Sequence, residues 1–193
     1  MEYQVQLDKK SIYNIDRNTL NLSIPYSYFS NLVKLNWNDI FFGIEHRYFP
    51  HQIAIEHASL ELSNNIDNSP QEVLELVLLT PKEAIFPHSI HPYIDILVKN
   101  VSKEEKSNTI DKMMYVILNW GFENIKQFEN PDEFLKIVYA DFDYPEKLRK
   151  LAGYAPASWK NFFVYKSPCE STEERMIGHW SELLEKEKIR FGK

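Results

Sequence analysis

Residues 102–121 read SKEEKSNTIDKMMYVILNWG and carry the signals of one long helix. Ser102 and Glu105 have the spacing of a capping box, in which each side chain binds the backbone N–H of the other residue. The apolar residues that follow recur close to the 3.6-residue period of an amphipathic helix; they are Ile110, Met113, Met114, Ile117 and Leu118. Gly121 is predicted to end this helix as a left-handed C-cap.

Similar start signals recur along the chain from residue 31 onward. Asn38–Asp39 precedes an apolar run, proline stands at first helical positions, and the Ser-x-x-Glu pattern returns at Ser171–Glu174. Helices are predicted to start near residues 50, 70, 92, 103, 131, 145 and 172, and the spacing shows no fixed period that would indicate a solenoid. We therefore expect a mainly α fold, an irregular multi-helix array or orthogonal bundle of about seven helices.

The first thirty residues have a different pattern. Tyr3, Val5 and Leu7 alternate with polar residues, which is typical of a strand, and residues 16–18 resemble a turn. We expect a short β-hairpin or an extended arm over residues 1–30, attached to a helical body over 31–193. No low-complexity linker interrupts the sequence, so residues 1–193 are predicted to form a single domain.

Composition excludes several classes of protein. The chain has 193 residues, 44% of them hydrophobic, with five glycines and one cysteine. One cysteine rules out an internal disulfide framework, and so few glycines leave no phosphate-binding loop. The N-terminus lacks the apolar core of a secretory signal, and no apolar run reaches the length of a membrane span. These features predict a cytoplasmic protein that contacts no membrane.

Charge is distributed unevenly. The net charge is -6, and residues 37–100 alone contain nine acidic and three basic residues. Residues 123–146 form a second acidic pool, with seven acidic and two basic residues. An acidic surface attracts basic partners and repels nucleic acid, so we expect a basic protein partner and no nucleic acid. Ordinary solvated helix faces remain the alternative.

Histidines and carboxylates raise a metal hypothesis. His46, His51 and His57 lie among glutamates, and His57 and Glu61 are spaced to share one helix face. The pattern is not that of a zinc protease, and His88 and His91 fall in a segment between two prolines that is predicted to be a loop. Surface or capping histidines are the simpler interpretation, and we assign no metal ligand, cofactor or catalytic residue.

Asp141 and Asp143, in the string YADFDYPE, admit two interpretations. The pair has the chemistry of an acid and a base, or of two metal ligands. Alternatively, Asp143 caps the helix predicted at Pro145, while Asp141 ends the preceding helix or holds the turn.

Cys169 precedes the last predicted helix, where a thiolate would be stabilised, but no histidine partner is evident. Tyr154 and Trp159 are further aromatic candidates for an interface. The candidate partner-binding residues are Asp132, Glu133, Asp141, Asp143, Tyr144 and Glu146.

Two stretches resemble a known family. They are Leu35–Leu62 and Met113–Pro156, the second containing IVYADFDYPE, and together they resemble the bacterial domain-of-unknown-function family 2247 over roughly residues 30–160. The family has no established activity. The resemblance implies a small bacterial cytoplasmic protein of a kind often encountered as immunity proteins to polymorphic toxins.

Three functions follow as hypotheses. The first is an immunity protein that neutralises a toxin through an acidic surface, at Asp132–Glu146 or at Glu45–Glu75. The second is a helical scaffold that bridges other proteins. The third is a metal-dependent hydrolase that uses Asp141, Asp143 and one or more of His46, His51 and His57.

Overall fold

The computed structural model describes residues 17–64, 66–152 and 172–193. Within these ranges the chain forms eight α-helices and no β-strand, which confirms the mainly α array. Short 3-10 turns, at Ile66–Asn68, Glu83–Ile85, Ile125–Gln127 and Glu146–Leu148, connect several of the helices. The helices are α1 (Tyr26–Leu32), α2 (Trp37–Glu45), α3 (Ile53–Asn64), α4 (Gln71–Leu78), α5 (Pro87–Asn100), α6 (Lys103–Glu123), α7 (Pro131–Asp141) and α8 (Thr172–Phe191).

The N-terminal region contains a helix where the sequence predicts an arm or hairpin. Residues 1–16, on which the alternating pattern falls, lie outside the described residues, and residues 17–25 are irregular. α1 then occupies Tyr26–Leu32, so the expectation of an extended arm up to residue 30 is wrong there. The sequence does not reveal α1 because no side chain caps its N-terminus, and Phe29 is its one fully buried residue.

α6 lies at the centre of the array, with α2, α7 and α8 packed around it. The six consecutive residues from Met113 to Leu118 are all buried, so this part of the helix is enclosed on every side. The predicted capping box is confirmed, because Ser102 Oγ accepts from Glu105 N and Glu105 Oε2 accepts from Ser102 N, both at 3.2 Å. No helix in the described ranges is both long and apolar enough to cross a bilayer.

The prediction that Gly121 ends α6 is wrong, because the helix continues to Glu123. Gly121 is buried, and a Cβ atom there would lie 2.4 Å from the ring of Phe134 on α7. Real Cβ atoms do not approach other atoms so closely. This glycine therefore allows α7 to pack against the backbone of α6, rather than providing a left-handed turn.

α5 also begins earlier than predicted. The start near residue 92 and the loop around His88 and His91 are wrong, because α5 runs from Pro87 to Asn100 and contains Pro92. Pro87 takes the first helical position, where a missing N–H costs nothing. Pro92 removes one backbone hydrogen bond, but Ile90, Ile94 and Leu97 are buried on the same helix and hold it against the core.

A buried polar cluster joins α2 to α6. α2 is capped by Asn36, two residues before the start signal at Asn38–Asp39, and Asp39 completes its capping box. The Asp39 carboxylate is fully buried; it accepts from Thr109 Oγ1 at 2.6 Å and from Lys112 Nζ at 2.5 Å. Asp39 therefore caps one helix and pairs with a cation on another.

We predict that Gly121→Ala destabilises the fold by about 1–3 kcal/mol, because the added methyl group collides with the ring of Phe134, which is buried and packs on Phe128 and Trp180. Gly178→Ala on α8 is the matched control, since no described atom lies within 4 Å of the position that its Cβ would occupy. That substitution should be neutral or stabilise the helix by up to about 1 kcal/mol. Urea unfolding of both variants measures the difference, and equal effects would contradict the packing argument.

We predict that Asp39→Ala costs about 3–5 kcal/mol of unfolding free energy, because it leaves the Lys112 ammonium without its partner in the interior. The control is Asp132→Ala, which removes an exposed pair with Lys136 and should cost less than about 1 kcal/mol. Chemical denaturation compares the two losses. A loss at Asp39 no larger than that at Asp132 would show that the buried ion pair contributes no more to stability than an exposed one.

Candidate functional site

Asp141 is a buried structural residue at the end of α7. Its Oδ2 accepts from Thr19 N at 3.0 Å and its Oδ1 accepts from Thr19 Oγ1 at 2.5 Å. Its backbone carbonyl accepts from Arg17 at 3.2 Å. The carboxylate thus fastens the segment before α1 to the end of α7, in line with the interpretation that Asp141 holds the turn.

Asp143 and Tyr144 form a turn with unusual backbone geometry. Their φ angles are 60° and 57°, a left-handed conformation that costs non-glycine residues free energy. The Tyr144 N–H donates to Tyr139 O at 2.8 Å, and Asp143 pairs with Arg17 at 2.5 Å. The side chain of Tyr144 is 62% exposed. The chain therefore holds an aromatic residue outward on a strained turn.

Asp143 does not cap the following helical turn, which is the role that its position in the sequence indicates. The 3-10 turn Glu146–Leu148 follows Pro145 and has no side-chain cap. The Asp143 carboxylate instead forms an ion pair with Arg17, which is more than a hundred residues away in sequence. Such long-range pairing leaves no local sequence signal.

The remaining candidates of the second acidic pool lie on the same part of the chain. Asp132 pairs with Lys136, and Glu146 pairs with Arg149 at 3.1 Å. Glu133 is exposed, at the first turn of α7 where Asn130 caps the helix. Most of the negative charge around Asp132–Glu146 is therefore balanced by cations of the chain itself.

A different surface carries acidic charge without such balance. It is formed by α4 and the 3-10 turn that follows, and we call it the α4 surface. Among the described residues no lysine or arginine forms an ion pair with its carboxylates. Its apolar side chains are exposed, Leu78 to 77%. The α4 surface consists of Glu72, Leu74, Glu75, Leu78, Glu83, Ile85 and Phe86.

Local hydrogen bonds order the edge of the α4 surface. Glu83 accepts from the backbone N–H and the hydroxyl of Thr80, at 2.8 and 2.7 Å, and these bonds lower the pKa of the Glu83 carboxyl. Gln71 donates to Glu75 at 2.7 Å, one helical turn away. Glu75 and Glu83 are thus held in place as charged groups at the surface.

Sequence reasoning missed the exposed apolar residues of this surface. The run QEVLELVLLT is typical of an amphipathic helix, and Val73 and Leu76 are indeed buried. The sequence did contain one signal of these exposed residues, because the run has more apolar residues than one buried helix face needs. Leu74 and Leu78 are four residues apart and lie on a second face of α4, where they stay 36% and 77% exposed.

A pocket of about 640 Å³ contains the one histidine pattern that the structure supports. His57 and Glu61 both line it, which confirms that their spacing places them on one face of α3. His57 is buried, and its Nδ1 lies 2.8 Å from Tyr26 Oη. Burial lowers the pKa of His57 to about 4, so the imidazole is neutral at physiological pH.

The residues of the hydrolase hypothesis are not assembled into a metal site. His57 contacts Tyr26 in the pocket, whereas Asp141 binds Thr19. His51 lies beside His91, with ring centroids 5.8 Å apart. Within residues 17–64, 66–152 and 172–193, no group of three or more His, Cys, Asp or Glu side chains could hold a metal ion. Tyr154, Trp159, Cys169 and the predicted cap Ser171 lie outside the described residues.

Comparison with known proteins gives a family match. The family model described as "uncharacterized protein conserved in bacteria (DUF2247)" matches residues 26–188. The match begins at the first residue of α1 and extends through most of α8, further than the two stretches that first suggested it. No curated protein and no solved structure matches the chain.

We predict that the free energy of unfolding decreases as the pH falls from 6.5 to 4, because the buried His57 resists protonation in the folded state. In this range the unfolded chain binds a proton that the folded chain does not, so the free energy of unfolding decreases by about 3 kcal/mol in total. Below about pH 4 the folded state also binds the proton, and this contribution stops growing.

The measurement is urea unfolding between pH 4 and 7 for the wild type and for His57→Gln. The variant should lose the part of the pH dependence of stability that His57 contributes. His179→Gln, which changes an exposed histidine on α8, is the matched control and should retain the wild-type slope. Identical slopes for His57→Gln and the wild type would refute the assignment.

Proposed function

We propose that this chain, which belongs to the DUF2247 family, is a non-enzymatic protein-binding domain that neutralises a basic toxin as its immunity protein. The contact surface in this proposal is the α4 surface. The observation that carries the proposal is the combination of exposed leucines with unpaired carboxylates on that surface.

Exposed apolar side chains are what a protein interface needs at its centre. Leu74 and Leu78 project from one face of α4, and Ile85 and Phe86 are each more than half exposed. Leaving such side chains in water costs free energy, so an exposed group of them indicates a partner that covers it. A free surface of a monomer usually shows such residues singly.

Unpaired carboxylates indicate the charge of the partner. In the described part of the chain, Glu72, Glu75 and Glu83 form no ion pair with a lysine or arginine, although Lys82 precedes Glu83 in the sequence. A basic protein surface would be drawn to these carboxylates and would approach faster at low ionic strength. In the Asp132–Glu146 region, by contrast, Asp143, Asp132 and Glu146 pair with Arg17, Lys136 and Arg149, so this region attracts a partner less strongly.

The matched family is described only as an uncharacterised bacterial protein, and the toxin enters this proposal from the likeness to immunity proteins that the sequence resemblance implies. If the toxin is a nuclease, its active face is basic because it binds phosphates, and an acidic inhibitor would occupy the same face. A scaffold that joins two harmless proteins would use a similar surface. The two functions differ in whether the partner kills cells when it is expressed alone.

The Asp132–Glu146 region remains a second candidate contact. Tyr144 is the observation in its favour, since the strained turn holds an aromatic ring outward and aromatic residues dominate binding energy at interfaces. Asp141 contributes to this region through the fold, because its carboxylate is buried against Thr19. Charge reversal at Asp141 would therefore unfold the chain rather than report on binding.

The experiment begins with capture of the partner from the native host and continues with the purified pair. We expect a stoichiometric complex whose affinity falls as salt rises, and a partner that is toxic without this protein. Glu72→Lys with Glu75→Lys should weaken binding at least about tenfold and flatten the salt dependence, measured by calorimetry.

Matched variants distinguish the two surfaces. Glu173→Lys with Glu174→Lys makes the same charge change on the first turn of α8 and should leave the affinity within about twofold of wild type. Tyr144→Ala with Glu133→Lys tests the second region. Unchanged affinity in the α4 variant and a loss in the Tyr144 variant would move the contact to Asp132–Glu146, and a harmless partner would replace the immunity role by a scaffold role.

A further inference from the structure

The pocket beside α3 has features that the proposed toxin contact does not use. It lies between α1, the start of α2, one face of α3 and the junction of α5 with α6. Its volume of about 640 Å³ is within the range of small-molecule sites. Tyr26, Trp37 and His57 contribute aromatic walls, and Val33 and Leu97 contribute an apolar base.

Glu61 supplies the pocket with a fixed carboxylate. The Trp37 indole N–H donates to its Oε2 at 2.7 Å, which positions the carboxylate and leaves Oε1 to accept from another donor. Among the described residues no lysine or arginine forms an ion pair with Glu61. A half-buried carboxylate without a counter-ion attracts a cation.

Two lysines, Lys34 and Lys193, also line the pocket, together with Glu105. Hydrogen bonds from Ser102, together with the charges of Lys112 and Lys34, lower the pKa of Glu105, so Lys34 lies close to a carboxylate of its own. Lys193 Nζ donates to the backbone carbonyl of Ser30. Neither lysine forms an ion pair with Glu61, so Glu61 is the lining carboxylate that has no lysine or arginine partner among the described residues.

His57 adds a neutral hydrogen-bonding group next to Glu61. Its residue is more than nine-tenths buried, and no described group forms a hydrogen bond with Nε2. When the Nδ1 hydrogen points to Tyr26 Oη, Nε2 is an acceptor. Because burial keeps this ring uncharged, it does not repel a cation in the pocket.

We propose that this pocket binds an organic cation, an amine or guanidinium on an apolar stem, with Glu61 as its counter-ion. The aromatic rings of Tyr26 and Trp37 favour a cation over an anion because of their negative faces, and Val33 and Leu97 contact the stem. The cation comes either from a free small molecule or from an arginine or lysine side chain of a protein. This inference does not depend on the α4 surface.

The first test uses butylguanidinium, with butylurea as a neutral probe of the same shape. Binding is followed through the indole N–H resonance of Trp37, which is assigned with a Trp37→Phe variant. We expect saturable binding of butylguanidinium with a Kd of about 1 mM, and at least about tenfold weaker binding of butylurea. No shift of the resonance up to about 10 mM, or equal binding of the two probes, would overturn the proposal.

Variants locate the charge. Glu61→Gln keeps an acceptor for the Trp37 N–H and removes only the negative charge, so it should weaken butylguanidinium binding at least about tenfold while the fold is retained. Glu173→Gln, on the exposed start of α8, is the control and should bind like wild type. Wild-type affinity in Glu61→Gln would overturn the role of Glu61.

The peptide acetyl-Gly-Arg-Gly-amide distinguishes the two sources of the cation. Binding at least about tenfold tighter than butylguanidinium would assign the pocket to an arginine side chain of a protein. Binding weaker than butylguanidinium would assign it to a free organic cation, because the peptide backbone then obstructs entry. Either result is consistent with a cation site, and each identifies the source of the cation.

Discussion

The ion pair between Asp39 and Lys112 is the interaction on which the rest of the structure depends. Asp39 has no exposed surface, yet it caps α2 and accepts from Thr109 and Lys112 on α6. A buried charge of this kind is tolerated only with its partner in place, so it restricts how α2 can lie against α6. Because α7 and α8 pack on α6, and α3 and α5 pack on α2, this contact joins the two helices on which most of the array packs.

A second set of polar contacts fastens the segment before α1 to the helical body. Asn18 donates to Arg47 O at 3.0 Å and Tyr48 Oη donates to Arg17 O, while Arg17 and Thr19 reach the end of α7. All four non-glycine residues with positive φ in the described chain, Asn21, Arg47, Asp143 and Tyr144, belong to this segment or to the turns that it contacts. Strained turns persist only where surrounding contacts hold them, and here the strain presents Tyr144 to solvent.

The sequence reveals part of each candidate site, the acidic surfaces and the pocket beside α3. The acidic pools are visible in the sequence, and so is the shared face of His57 and Glu61. The sequence does not show that Arg17 balances Asp143, because the two residues meet only in the folded chain. Nor does it show that Leu74 and Leu78 stay exposed, since the apolar period of a helix does not say which of its faces finds a neighbour.

Local chemistry was sufficient for features that a few neighbouring residues determine. The capping box of α6, the Asn130 cap of α7 and the mainly α class follow from hydrogen bonds and periodicities within single helices. Tertiary structure decided the rest. Gly121 could serve as a helix end or as a point of close approach, and only the ring of Phe134 selects the second role. The burial of Asp141, and the pocket that surrounds Glu61, depend on contacts between residues distant in sequence, because packing rather than local preference determines which polar groups lose their water.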